Sequence, residues 1–219
     1  MLPKDFPPFM TVQHYLYWLR DSGALDLLND ALVCASRTLC GRAEEPTVAI
    51  IDSQSVKSTE AGDPRGFDAG KKIKGRKRQI VTGTQGHMLT GIAHEASIQD
   101  RDGAPRVIGF AYESFQTVTY VFADSGYAGE KLEAALAKMN GPAIEIVKRP
   151  DGAKGFALVA KRWVVERTLS WINCCRTLAK DREASIASSE AGCSSPPSGS
   201  FPGASPDQRL QIVNFESDS

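Results

Sequence analysis

Two short apolar runs in this chain each lead into an aspartate, and together they constrain most of what it can fold into. Asp52 follows Val48-Ala49-Ile50-Ile51, and Asp124 follows Tyr120-Val121-Phe122-Ala123. Short runs rich in β-branched and aromatic residues read as strands, so each strand delivers an acid to its end. A third acid, Glu166, lies in a later amphipathic segment. Three carboxylates that can converge favour a hard divalent cation, which prefers oxygen ligands. Between the first two acids runs Lys71-Lys72-Ile73-Lys74-Gly75-Arg76-Lys77-Arg78, six basic residues in eight. Acids to hold a metal beside cations to hold phosphate are the chemistry of a nuclease or a DNA strand-transfer enzyme.

The segments around these strands define an α/β order. Thr11 to Leu39 carries helical periodicity, with Val12, Tyr15, Leu16 and Leu19 on one stripe and a break at Ser22-Gly23, which predicts a helical hairpin. Lys77 to Thr84 and Met88 to Ala93 predict two strands turning at Thr84-Gln85-Gly86-His87. Gly62 to Gly70 reads as a loop. Helices are predicted over Asp102 to Phe115, with Asp102 as a cap, over Glu130 to Met139 and over Phe156 to Leu178; Ala143 to Val147 predicts a further strand. Strand, strand, strand, helix, strand, helix, strand, helix describes a mixed sheet flanked by helices, consistent with a ribonuclease-H-like core. Trp163 and Trp171, eight residues apart, are expected on one face of the last helix, packed in the core. After Lys180 the composition shifts, Asp181 to Ser189 retaining helical character. From Gly192 to Pro206 glycine and proline recur throughout, which predicts a disordered tail over 191–219.

Composition narrows the class further. The 219 residues suffice for one sizeable core with appendages. Net charge is zero, which taken alone argues against a nucleic-acid binder, but the local field of the basic stretch matters more for phosphate than the sum. The five cysteines form no Cys-x-x-Cys pair, and the three histidines are scattered, so no zinc site is expected, and unpaired thiols in a reducing cytoplasm are. No apolar stretch approaches 18 residues, so neither a membrane span nor a signal peptide is expected. The proline-rich start, Met1-Leu2-Pro3-Lys4-Asp5-Phe6-Pro7-Pro8, resembles an internal stretch and predicts that upstream residues are missing.

As a set, Ile51-Asp52-Ser53-Gln54-Ser55-Val56-Lys57, Asp68 to Arg78, Phe122-Ala123-Asp124-Ser125-Gly126-Tyr127-Ala128-Gly129 and Val164-Val165-Glu166-Arg167-Thr168-Leu169-Ser170-Trp171 closely resemble bacterial insertion-sequence transposases with a DDE catalytic domain. The resemblance covers roughly residues 1 to 190. It implies a ribonuclease-H-like fold with two Mg²⁺ ions, Mn²⁺ being an alternative, and Asp52, Asp124 and Glu166 as the catalytic and metal-binding triad. It also implies double-stranded DNA as partner, both the terminal inverted repeats and the target, a homodimer in the active state, and a place in the bacterial cytoplasm at the nucleoid. Residues 1–45 would be a helical remnant of the DNA-binding region, and 46–190 the catalytic domain. Arg162 matches a basic position that accompanies the glutamate, and Lys57 and Arg167 in the same motifs join Lys71, Lys72, Lys74, Arg76, Lys77 and Arg78 as expected DNA contacts. The tail after Ala191 does not resemble the apolar closing helix of the family, so a truncated or frameshifted copy is expected, either impaired or a catalytically inactive DNA-binding remnant. A metal-dependent nuclease on the same core is the remaining alternative.

Overall fold

The computed structural model describes residues 4–59, 64–147, 162–175 and 178–194. Its first element is the expected hairpin, α1 (Phe9–Asp21) and α2 (Ala24–Leu39), turned at Gly23, whose φ of +71° suits a residue without a Cβ. The hairpin does not stand apart from the remainder. Val33 of α2 lies in the main core, and Asn29 donates to the Met88 and Leu89 carbonyls. The boundary expected at residue 45 therefore divides α2 from a core it helps to build.

The sheet follows: β1 (Val48–Lys57), β2 (Gly66–Asp68), β3 (Ile73–Gly83), β4 (Met88–Glu95), β5 (Tyr120–Ala123) and β6 (Ala143–Ile146). β3 lies between β1 and β4 and is antiparallel to both, while β5 and β6 extend the other side of β1 in parallel. The main strand order is thus β4-β3-β1-β5-β6, with only β3 reversed, and β2 pairs with the first residues of β3. This is the ribonuclease-H-like mixed sheet. β2 is a correction, since it falls in the stretch read as loop. Gly75 lets the start of β3 lie close against the end of β1, because a Cβ on it would overlap the Val56 carbonyl oxygen.

Helices cover both faces. α3 (Asp100–Ser114) starts two residues earlier than expected, with both Asp100 and Asp102 in its first turn and Pro105 inside the helix. It packs with α4 (Glu130–Lys138) on the face formed by Ile51, Val81, Val121 and Ala123. α5 (Arg162–Cys174) lays Val164, Val165, Leu169 and Ile172 on the other face, against Ile50 and Ile80. The helix predicted from Phe156 has its first six residues outside the described ones. α6 (Ile186–Ser194) lies beside edge strand β4, where Glu190 accepts the Ala93 N–H at 3.0 Å. It runs four residues into the stretch read as tail; the remainder of that stretch lies outside the described residues. Among the described residues no helix is long and apolar enough to cross a membrane.

Candidate active site

Register places the two aspartates. β1 and β5 pair in parallel only as far as Ile50 opposite Phe122. Asp52 and Asp124 each lie two residues beyond that last pair, so they stand at one level on neighbouring chains and on one face. They border the same small concavity, floored by Ile50, Phe122 and Ala123. Antiparallel pairing with β3 carries β1 on to Lys57, so Asp52, opposite Ile80, is the fifth residue of a ten-residue strand rather than its end. What ends at this point is the parallel pairing. Asp124 caps the short 3₁₀ turn Ser125–Tyr127 and accepts the Gly126 N–H at 2.8 Å. The Asp52 carboxylate accepts the Ser53 N–H at 2.7 Å.

Glu166 is exposed on α5, the helix packed over the face from which Asp52 projects. Among the described residues no three of His, Cys, Asp and Glu stand close enough to share an ion. The Asp52–Asp124 pair does fit a hard cation: two carboxylates border one concavity, and Mg²⁺ is typically held by one or two carboxylates with water and phosphate completing its shell. Glu166 does not complete a three-carboxylate cluster in this arrangement.

The basic stretch divides in two. Lys57, Lys71, Lys72 and Lys74 are exposed. Lys71 donates from Nζ to the carbonyl at 2.9 Å and to the hydroxyl at 3.1 Å of Ser53, the residue that follows Asp52 on β1. Arg76, Lys77 and Arg78 are only 0–4 % exposed, a correction to their expected role as DNA contacts. β3 is a central strand covered on both faces, so its side chains point into protein. Arg76 forms an ion pair with Asp181 at 3.2 Å and donates to the carbonyls of Pro64, Glu183 and Ser185. Arg78 donates to the Leu178 carbonyl at 2.6 Å and lies 3.9 Å from Asp181. On the opposite face Lys77 pairs with Asp100 at 2.7 Å and Asp68 at 3.5 Å. Burial would raise the Asp68 pKa. The Ser55 hydroxyl, the Lys71 backbone N–H and the Lys77 ammonium outweigh that effect and hold it at about 2.

Arg167 is a second correction. Its guanidinium is sandwiched between the Trp163 and Trp171 rings, 4.7 Å from each centroid, and donates to the Gln85 carbonyl at 3.0 Å. It fastens α5 to the β3–β4 turn instead of reaching for phosphate. The two tryptophans accordingly leave the core to clasp it, Trp163 being 37 % exposed. Arg162 begins α5, and its side chain lies outside the described residues. The residues that sequence reading missed are Asp68, Asp100 and Asp181. Asp68 lies within the motif that holds the basic stretch, but nothing local marks Asp181, whose partner Arg76 is 105 residues away.

A strand-level pair of acids on a sheet with one reversed strand defines a class, and the family comparison names it. Residues 43–191 match the Transposase DDE domain model, and the chain belongs to that family. It is 31% identical over 136 residues to the putative transposase for insertion sequence element IS402 of Burkholderia cepacia, covering 59% of this chain and 62% of that relative. The alignment thus spans less than two thirds of the relative's length.

Proposed function

We propose that this protein carries the catalytic core of an insertion-sequence transposase, which cuts double-stranded DNA at the element's terminal repeats and joins it to target DNA. The observation that carries the reading is the register that sets Asp52 and Asp124 side by side. Asp52 and Asp124 would hold a divalent cation, Mg²⁺ or in its place Mn²⁺. Glu166, on the helix over the same face, would supply the third carboxylate and with it a second ion. Bound there, such a cation polarises the phosphoryl group and lowers the pKa of the attacking oxygen's proton. Lys71, anchored on Ser53, would contact the phosphate beside Asp52. Lys57, Lys72 and Lys74 face outward and would hold neighbouring phosphates by charge, fixing position without reading bases. Two element ends have to be handled together, so a homodimer acting at the nucleoid is part of the proposal.

The test uses duplex DNA taken from the ends of the element that encodes this chain. We expect Mg²⁺-dependent, chelator-sensitive cleavage and joining of a pre-cleaved 3′ end to a second duplex. Cleavage without joining would replace the reading with a metal-dependent nuclease. DNA binding with neither reaction would replace it with an inactive remnant.

Salt dependence checks the divided basic stretch separately. Replacing Lys57, Lys72 and Lys74 by glutamine should weaken binding to unrelated duplexes alike and flatten the log–log salt slope by up to ~0.9 for each phosphate no longer neutralised. An unchanged slope would mean that these lysines form only a solvated edge.

A further inference from the structure

The turn between β2 and β3 is fastened to β1 at two points. Ser53 and Ser55 are buried and, by strand alternation, share a face with Ala49 and Ile51. The Ser55 hydroxyl donates to Asp68 Oδ2 at 2.6 Å, and the exposed Lys71 donates to the Ser53 carbonyl at 2.9 Å and hydroxyl at 3.1 Å. Asp68 ends β2, and residues 69–72 turn the chain back to Ile73, its partner on β3.

Asp68 shapes that turn. Its Oδ1 accepts the N–H groups of Gly70 and Lys71, each at 3.0 Å, and Lys72 closes the turn at a φ of +54°, uncommon for a residue with a Cβ. Lys77 stands 3.5 Å from Asp68 Oδ2 and is itself held by Asp100 and the Ile98 carbonyl, each at 2.7 Å. The backbone of Lys71 is thus tied through one carboxylate to β1 and β3, while its side chain runs to Ser53.

The direction of the Ser53 carbonyl says where the ammonium stands. The Thr47 and Lys57 carbonyls accept N–H groups from Thr119 and Asp181, not from β3. Ser53 lies an even number of residues from both, on a strand whose register with β3 is unbroken, so its carbonyl faces the same edge. β5 pairs along that edge only as far as Ile50. The ammonium therefore stands on the edge of β1 beyond the last β1–β5 pair, one residue past Asp52. It arrives from the α3 face, whereas Asp52 projects on the face of α5.

We propose that Asp68 is a positioning residue for DNA: by fixing the β2–β3 turn it holds the Lys71 ammonium on this edge of β1, with one N–H left for a phosphate oxygen of the strand that passes Asp52. The inference rests on the reading of Lys71 as a phosphate contact.

The test is Asp68→Ala in the whole 219-residue chain, alone and combined with Lys71→Gln. Binding to a duplex of unrelated sequence is followed over a range of salt. Lys71→Gln should raise the Kd roughly 5–10-fold at ~0.1 M salt and flatten the log–log salt slope by ~0.9, the share of one phosphate contact. We expect Asp68→Ala to weaken binding and flatten the slope in the same way, and to add no further loss once Lys71 is glutamine. Charge alone gives the opposite sign, because removing an acid favours a polyanion. Unchanged or tighter binding by Asp68→Ala beside a loss in Lys71→Gln would overturn the role of Asp68 alone. A loss that persists in the Lys71→Gln background would overturn it too, since that pattern marks a packing role. Should Asp68→Ala not fold, Ser55→Ala, which removes only the hydroxyl holding Asp68 to β1, takes its place under the same criteria. If the native chain does not bind the duplex, or Lys71→Gln binds it equally well, the reading of Lys71 as a phosphate contact fails, and the role of Asp68 fails with it.

Discussion

Asp181→Ala should cost about 3–5 kcal/mol of stability. The Asp181 side chain is fully buried and stands 3.2 Å from the Arg76 guanidinium and 3.9 Å from that of Arg78, themselves 0 % and 1 % exposed. It also accepts from the Ser189 hydroxyl at 2.5 Å and the Glu183 N–H at 3.0 Å, and its backbone bridges Lys57 and Thr59 beside the end of β1. Alanine would remove the carboxylate that faces both buried guanidiniums. The expected loss is a large fraction of the stability of a small domain, about 5–15 kcal/mol. Urea denaturation of the native and variant chains measures it. A triple replacement of Arg76, Arg78 and Asp181 by methionine, methionine and leucine should recover most of the loss, because it leaves no charge uncompensated. A single variant that melts like the native chain would show that the cluster is not what holds residues 178–194 to β3.

Asp52→Asn is expected to abolish Mg²⁺-dependent cleavage while preserving the fold. The amide keeps the size of the carboxylate and an oxygen able to accept from the Ser53 N–H, but it loses the charge that attracts the cation. Metal stabilisation of a phosphoryl transition state is worth several kcal/mol, so the rate should fall by about 1,000-fold or more. The metal-free variant should be at least as stable as the native chain, since one of two neighbouring carboxylates no longer repels the other. Asp124→Asn should behave in the same way. Cleavage at the native rate in either variant, measured on the same DNA ends, would remove the pair from the mechanism.

The segments that carry the chemistry could be read locally. Val48 to Ile51 and Tyr120 to Ala123 are strands because nothing else suits short β-branched and aromatic runs, and each leads directly to its aspartate. The Thr84–His87 turn and the Ser22-Gly23 break were legible for the same reason: turn chemistry is written in neighbouring residues. The basic stretch was not. Six cations in eight residues look like a phosphate-binding strip, yet strand alternation on a central strand sends Arg76 and Arg78 to one buried face and Lys77 to the other. Only Lys71, Lys72 and Lys74, which precede the covered part of β3, remain exposed, with Lys57 across the sheet at the end of β1. Arg167 misled similarly, since the two tryptophans that hold it are adjacent on the helix but spaced four residues away on either side in sequence.

Sequence by itself determined the family, the order of the strands and helices apart from β2, and the apolar runs that lead into Asp52 and Asp124, because periodicity and short motifs are properties of contiguous residues. Tertiary structure alone decided which cations are available. Ion pairs such as Arg76–Asp181 join residues 105 apart, and burial depends on what the rest of the chain lays over a strand. The same holds for the surroundings of Asp68. Its partners Ser55 and Lys77 come from β1 and β3, segments that meet only when the sheet has closed.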